Sequence, residues 1–113
     1  MIFDLAFKKG TENEKYARQL RSSAGLAVFI IEKEGPEGWI QVGRSFERFA
    51  LQATVLGIRH AHLNMPVEVP EVRSAFADWI GIPGRRPDLV IRFGKAKPMP
   101  MSIRRPLEAV IVA

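Results

Sequence analysis

The chain has 113 residues, of which 47% are apolar and 26% charged, and this composition is ordinary for one soluble globular domain with a single core. It contains no cysteine, which excludes disulfides, thiolate catalysis and cysteine-based metal sites. No apolar run approaches the roughly 20 residues that a membrane span needs, and the first residues do not resemble a signal peptide. We therefore predict a cytoplasmic protein with no membrane partner.

The first predicted elements are a helix over residues 11–21, a strand over residues 26–31 and a long helix over residues 36–56. Thr11 and Glu14 have the spacing of a capping box at the start of the first helix. Residues 26–31 are all apolar, which predicts a central strand that is buried on both faces. Pro36 suits the first position of the long helix, and Gly57 suits its end.

The long helix carries two patterns. Trp39, Phe46 and Phe49 recur at helical spacing, which predicts that they lie in the core. A stripe of small side chains at seven-residue spacing would let another helix approach closely, and it consists of Gly43, Ala50 and Gly57. We therefore predict a contact between this helix and a second copy of the chain, which makes a homodimer.

The second half of the chain predicts shorter elements. They are a strand over residues 58–63, an extended loop over 66–70, a helix over 70–80 and a strand over 88–93. Beyond that strand, Pro98 and Pro100 each lack an amide donor and fix their own φ angle, so we predict a stiff, extended bridge. The apolar residues 109–112 predict a last strand, which needs a partner edge in its own sheet or in a neighbouring one.

Positive charge is concentrated after residue 84. The formal net charge is +5, and residues 1–84 hold ten basic and ten acidic side chains, whereas residues 85–113 hold seven basic and two acidic ones. Such a local field attracts anions, for example a nucleotide phosphate, a nucleic acid or an acidic lipid. Arg104 and Arg105 follow the bridge, and each guanidinium offers a planar fork of donors that suits a phosphate. The other interpretation is a basic tail surrounded by solvent.

Two histidines are the remaining candidates for chemistry. His60 and His62 alternate along a predicted strand and so point to the same face, but the sequence offers no third and fourth ligand for zinc. We therefore predict no metal site. A nucleic-acid partner is also disfavoured, because the aromatic side chains lie on apolar helix faces and are not interleaved with the basic residues.

Six segments, in this order along the chain, carry a resemblance to a known family. They are RSSAGLAVF (residues 21–29), W-x-x-V-G-R (39–44), LQATVLGI (51–58), PVEVPEVR (66–73), RPDLVIRFG (86–94) and RRPLE (104–108). Together they resemble the C-terminal half of flavin-dependent nitroreductase-family proteins, most closely the branch in which one chain carries two nitroreductase-like halves. The resemblance covers nearly the whole chain.

This resemblance implies one α+β domain over residues 1–113, with a mixed, mostly antiparallel sheet and a long central helix. It implies FMN at the junction of two halves or two subunits, and hydride transfer from NAD(P)H via FMN to a small-molecule acceptor. Arg104 or Arg105 would hold the FMN phosphate, and the backbone amides of Asn64 and Met65 would meet the N5 edge of the flavin ring. No side chain is implied as a catalytic acid or base.

Two kinds of partner follow from the resemblance: a second copy of the chain, giving a homodimer, or a missing N-terminal half. A second functional hypothesis has no catalysis. In that hypothesis the chain is a module that dimerises through its long helix and binds an anion, a nucleotide or a protein partner.

Overall fold

The computed structural model describes residues 11–111, which form helices packed on a small sheet. The helices are α1 (Thr11–Arg21), α2 (Pro36–Val55), α3 (Met65–Glu68) and α4 (Pro70–Trp79). The strands are β1 (Gly25–Ile31), β2 (Arg59–His62) and β3 (Arg86–Gly94), and a 3-10 turn follows at Leu107–Ala109. The predicted α+β class is confirmed. Within residues 11–111, no helix has the length and apolarity that a membrane crossing needs.

The central strand of the sheet is β3. The strand order is β1-β3-β2, both pairings are antiparallel, and Val90 and Ile91 of β3 are 0% exposed. The prediction that residues 26–31 form the central strand was wrong, because β1 lies at an edge of the described sheet and only its last residue, Ile31, is buried. An apolar run also fits an edge strand, since helices packed on the sheet shield the faces of β1, while one of its backbone edges has no partner strand within residues 11–111.

Successive side chains of each strand point to opposite faces of the sheet, and both faces are packed. On one face, Phe46 and Phe49 of α2 contact the ring of Phe29, with ring centroids 6.1 and 5.9 Å apart. On the other face lies the buried core, which comprises Leu63, Val67, Phe76 and Val90, with Tyr16 and Leu20 of α1 packed against it. The sheet is therefore held between α2 and the remaining helices.

The long helix α2 has nearly the predicted bounds, and the chain leaves it through Gly57 in a left-handed conformation (φ 68°). Phe46 and Phe49 face the sheet as predicted, whereas Trp39 was predicted to lie in the core and is 55% exposed. The first turn of α2 packs through the buried Gly38, and Trp39 lies about 100° around the helix from that contact.

Residues 66–70, predicted as an extended loop, are mostly helical. The carbonyl of Asn64 accepts hydrogen bonds from the amides of Val67 and Glu68 at 2.9 and 3.1 Å, which closes the single turn of α3. Pro66 fits this turn because the first helical positions need no amide donor, and its side chain is buried. The two prolines that suggested a loop therefore begin α3 and α4.

Two predictions at the ends of the chain have different outcomes. α1 spans the predicted residues, but the side chains of residues 11–13 lie outside the described part, so the capping box stays a prediction. The predicted last strand was wrong for the residues that are described: Ala109 belongs to the 3-10 turn, and the amides of Val110 and Ile111 donate to the carbonyl of Leu107. Val112 lies outside the described residues.

Candidate anion-binding cleft

Residues 95–106, which we call the arm, extend from the end of β3. They have no regular secondary structure, and every one of them is exposed. The predicted absence of helix and strand in this bridge is confirmed, and its stiff, extended form stays a prediction. Three apolar side chains on the arm are almost fully in solvent, since Met99 is 83%, Met101 92% and Ile103 98% exposed. The arm therefore gains little burial from its own chain.

A cleft of about 870 Å³ lies between the arm and the end of the sheet where β2 pairs with β3. This volume is within the range of sites for small molecules and cofactors. The basic side chains that line it are Arg59, Arg92, Lys95, Lys97 and Arg104, and His60 joins them. Among the described residues of the lining there is no carboxylate, so the cleft has a positive potential that attracts anions.

The cations of the cleft are not compensated by ion pairs among the side chains of residues 14–111. Ion pairs in that part of the chain belong to other cations, and they are Lys33–Glu37, Arg85–Glu32, Arg86–Glu34 and Arg86–Asp88. Arg86–Glu34 joins the start of β3 to the segment after β1, and Arg86–Asp88 lies within β3, at the end of the strand opposite the cleft. Acidic residues thus neutralise one end of β3 and leave the other end basic.

Arg92 is the cation that comes from the sheet itself. It lies on the central strand, opposite Leu26 of β1 and Ala61 of β2, and so has an apolar residue on each side. Its Nε is buried and has no hydrogen-bond partner, and no other buried side-chain nitrogen or oxygen in residues 14–111 is in that state. Buried donors in folded proteins normally have a partner, so this one requires an explanation.

The residues predicted to hold a flavin lie in two different places. Arg104 lines the cleft, whereas Arg105 is exposed and is not part of the lining. Asn64 and Met65 follow the other end of β2, and Asn64 lies five residues beyond Arg59, which is roughly 16 Å at the rise of an extended strand. Asn64 and Met65 are not part of the lining of the cleft that Arg104 joins.

Asn64 has a structural role that the sequence did not suggest. Its side-chain Oδ1 accepts a hydrogen bond from the backbone amide of Val90 at 2.9 Å, and its Nδ2 lies 3.4 Å from Nδ1 of His62. The side chain thus joins the segment after β2 to the central strand. Only the backbone of Asn64 is left for the contact with a ligand that the resemblance implies.

His60 and His62 lie on the same face of the sheet, as predicted, where they meet the phenylalanines of α2. The ring centroid of His60 is 5.7 Å from that of Phe46 and 6.0 Å from that of Phe49. His62 packs on Phe46 at 5.0 Å. In residues 11–111 no three potential metal ligands cluster, and the two imidazoles serve to pack α2 on the sheet.

Arg59 and Arg92 are the site residues that sequence reasoning missed. The available signal was Arg92 itself, a charge that follows the apolar run from Leu89 to Ile91.

No protein-family model, no curated protein and no solved structure matches this chain. The interpretation of the cleft therefore depends on its own geometry and charge.

Proposed function

We propose that this chain is one half of an FMN-dependent, nitroreductase-like oxidoreductase. When bound, FMN supplies the chemistry of hydride transfer between NAD(P)H and a small-molecule acceptor. The residues of this chain hold and orient that group. The observation that carries the proposal is the position of Arg104, on an extended arm beside a cleft of cofactor size whose described lining has five cations and no carboxylate.

The two arginines of the arm are suited to different tasks. In an extended segment successive side chains point in opposite directions, so Arg104 facing the cleft leaves Arg105 facing away from it. Arg104 would hold the phosphate through its planar fork of donors. Arg105 would contact whatever covers the outer side of the arm. The cationic lining fits a phosphate group.

A complete flavin site would require two halves. Residues 64–65 do not line the cleft that Arg104 joins, so Arg104 of one half and the backbone amides of Asn64 and Met65 of another would meet at a shared site. The exposed apolar side chains of the arm support this arrangement, because a partner surface would remove them from water. The partner is a second copy of this chain or an N-terminal half.

We assign the protein to the cytoplasm, because a chain without cysteine needs no oxidising compartment.

Titration of the purified chain with FMN tests the proposal. Bound flavin is measured by its visible absorbance after removal of free FMN and by the change in its fluorescence. Replacing both arginines, Arg104→Ala with Arg105→Ala, is expected to weaken FMN binding by at least about tenfold, because each charged hydrogen bond contributes about 1.5–3 kcal/mol. The matched control is Arg18→Ala with Arg48→Ala, which removes two exposed arginines outside the cleft.

Two results would contradict the proposal. If the chain takes up no FMN at concentrations at which it self-associates, it is not a flavin-binding half. If it takes up FMN equally well with and without the two arginines of the arm, the phosphate is held elsewhere. Equal weakening in the control variant would mean that only the net charge of the protein matters.

A second candidate function is a non-catalytic module that dimerises through α2 and binds an anion, a nucleotide or a protein partner. One observation favours it: the side of α2 away from the sheet carries large apolar side chains in solvent. They are Trp39, Ile40, Leu51 and Val55, which are 55%, 62%, 62% and 79% exposed. Gly43 lies among them, and an ideal Cβ built on it would have no neighbour within 4 Å. The surface therefore has room for a second helix.

Light scattering at micromolar concentration measures this association. Leu51→Arg is expected to give monomers while leaving the free energy of unfolding of the single chain within about 0.5 kcal/mol, because the side chain is exposed in one copy. A dimer that takes up no FMN would favour the module over the enzyme half. A parent chain that stays monomeric would contradict association through α2 in both functions.

A further inference from the structure

Arg92 lines the cleft from the sheet, on the side that we call its floor, and carries an unsatisfied donor that the proposed flavin contact does not use. Nε of Arg92 is buried without a hydrogen-bond partner, although the residue lies on the most buried strand of the sheet. Neither neighbouring strand compensates it, because Leu26 and Ala61 lie opposite it. A guanidinium placed between apolar side chains is costly unless an acceptor completes it.

No group of the described lining accepts a hydrogen bond from Nε of Arg92. Ser22 and Ser23 line the cleft, but their hydroxyls donate to the carbonyl of Gln19 at 3.1 and 2.6 Å. Arg59 and Lys95 add positive charge at the paired ends of β2 and β3. Because the described lining contains five cations and no carboxylate, and Nε of Arg92 has no acceptor within it, an anion bound in the cleft would supply the missing acceptor.

We infer that the floor of the cleft is a receptor for an oxyanion, bound by the guanidinium of Arg92 and separate from the phosphate assigned to Arg104. The planar fork of an arginine pairs with two oxygens of one group, which both phosphate and carboxylate provide. Arg59 and Lys95 would add long-range attraction at the rim. This site lies on the rigid sheet of a single copy, so it needs neither a flavin nor a second half.

The charge of the lining supports a second anion. Five cations surround the cleft, whereas a phosphate monoester carries at most two negative charges near neutral pH. One such group leaves most of this positive charge uncompensated. Two anionic groups, one held by the arm and one by the sheet, come closer to neutrality.

NMR of the arginine Nε–Hε groups tests the site directly in the full, ¹⁵N-labelled chain. Inorganic phosphate and acetate are titrated separately at constant ionic strength, with chloride exchanged for the test anion, so that screening does not change. The Hε resonance of Arg92 is expected to shift and to saturate, whereas that of Arg48, exposed on α2, stays in place. The anion that binds more tightly identifies the ligand group as phosphoryl or carboxylate.

Arg92→Lys keeps the charge but removes the Nε donor and the planar fork. We expect it to weaken binding of the tighter anion by about tenfold, which corresponds to one charged hydrogen bond. Arg48→Lys is the matched control and should leave the affinity unchanged. The pair Arg104→Ala and Arg105→Ala removes two positive charges near the cleft and should weaken binding at Arg92 less than Arg92→Lys does, because neither residue contacts the anion held at the sheet.

The inference is overturned if neither anion moves the Hε resonance of Arg92 in the parent chain. It is also overturned if the folded Arg92→Lys variant binds as tightly as the parent, or if the loss of Arg104 and Arg105 abolishes binding. None of these results depends on uptake of FMN, so failure of this site and failure of the proposed flavin function are separate outcomes. The parent titration decides the question even if a variant does not fold.

Discussion

Two glycines of α2 provide a matched pair for testing the packing of the long helix on the sheet. A Cβ added at Gly38 would lie 2.0 Å from the carbonyl oxygen of Lys33 and 2.7 Å from Cδ1 of Ile31, whereas one added at Gly43 would have no neighbour within 4 Å. Alanine favours a helix interior over glycine by about 1 kcal/mol. At Gly38 this gain is opposed by the overpacking, which costs about 1–3 kcal/mol and here involves backbone that cannot rotate away.

We therefore expect opposite signs for the same substitution. Gly43→Ala should raise the free energy of unfolding by up to about 1 kcal/mol, and Gly38→Ala should lower it by up to about 2 kcal/mol. Urea unfolding measures both values, and unchanged slopes would show that the unfolded states are alike. A stable Gly38→Ala variant would refute the close approach of the first turn of α2 to β1.

The Gly43→Ala measurement should be made at two protein concentrations. In a dimer the stability of the chain depends on concentration, because association stabilises the folded state by mass action. A loss of stability that appears only at the higher concentration would place Gly43 in the contact between two helices. A gain at both concentrations means that Gly43 faces solvent.

Two further predictions concern the central strand. Asn64→Ala should lower the free energy of unfolding by about 1–3 kcal/mol, because the amide of Val90 loses its acceptor at 2.9 Å. Asn64→Asp keeps an acceptor oxygen and should lower it less. Equal losses of the two variants in urea unfolding would argue against this hydrogen bond. Ile91→Ala should lower the free energy of unfolding by about 2–5 kcal/mol, because the side chain is 0% exposed and its removal leaves a cavity. A loss below about 1 kcal/mol, measured by thermal unfolding, would mean that the core closes around the gap.

Sequence patterns predicted the elements that have clear markers at their ends. α2 was predicted over residues 36–56 and spans Pro36–Val55, because proline can begin a helix and Gly57 can adopt the left-handed conformation that ends it. β3 was predicted over residues 88–93 and spans Arg86–Gly94. In each case a local backbone preference and the hydrophobic period indicated the same structure.

The wrong predictions arose where an apolar pattern indicates that a residue is buried but does not indicate which elements cover it. Residues 26–31 are uniformly apolar, but this cannot distinguish a strand paired on both edges from the edge strand β1 under packed helices. Trp39 has the helical spacing of Phe46, yet Gly38 makes the close contact of that turn with the sheet. The order of strands in the sheet decides both questions, and it depends on contacts between distant residues.

The cleft was predictable only in the part that is local in sequence. Arg104 follows the prolines of the arm, so its presentation on an extended segment could be inferred from neighbouring residues. Arg59 and Arg92 are 33 residues apart and meet through the antiparallel register that pairs Arg59 with Gly94 and Ala61 with Arg92. No local period encodes that register. The informative signal was instead one of chemistry: a charge directly follows the apolar run of a strand, and a buried donor of a charged group normally has an acceptor. Leu26 and Ala61 occupy the adjacent positions, and for this reason we assign the acceptor of Arg92 to a bound anion.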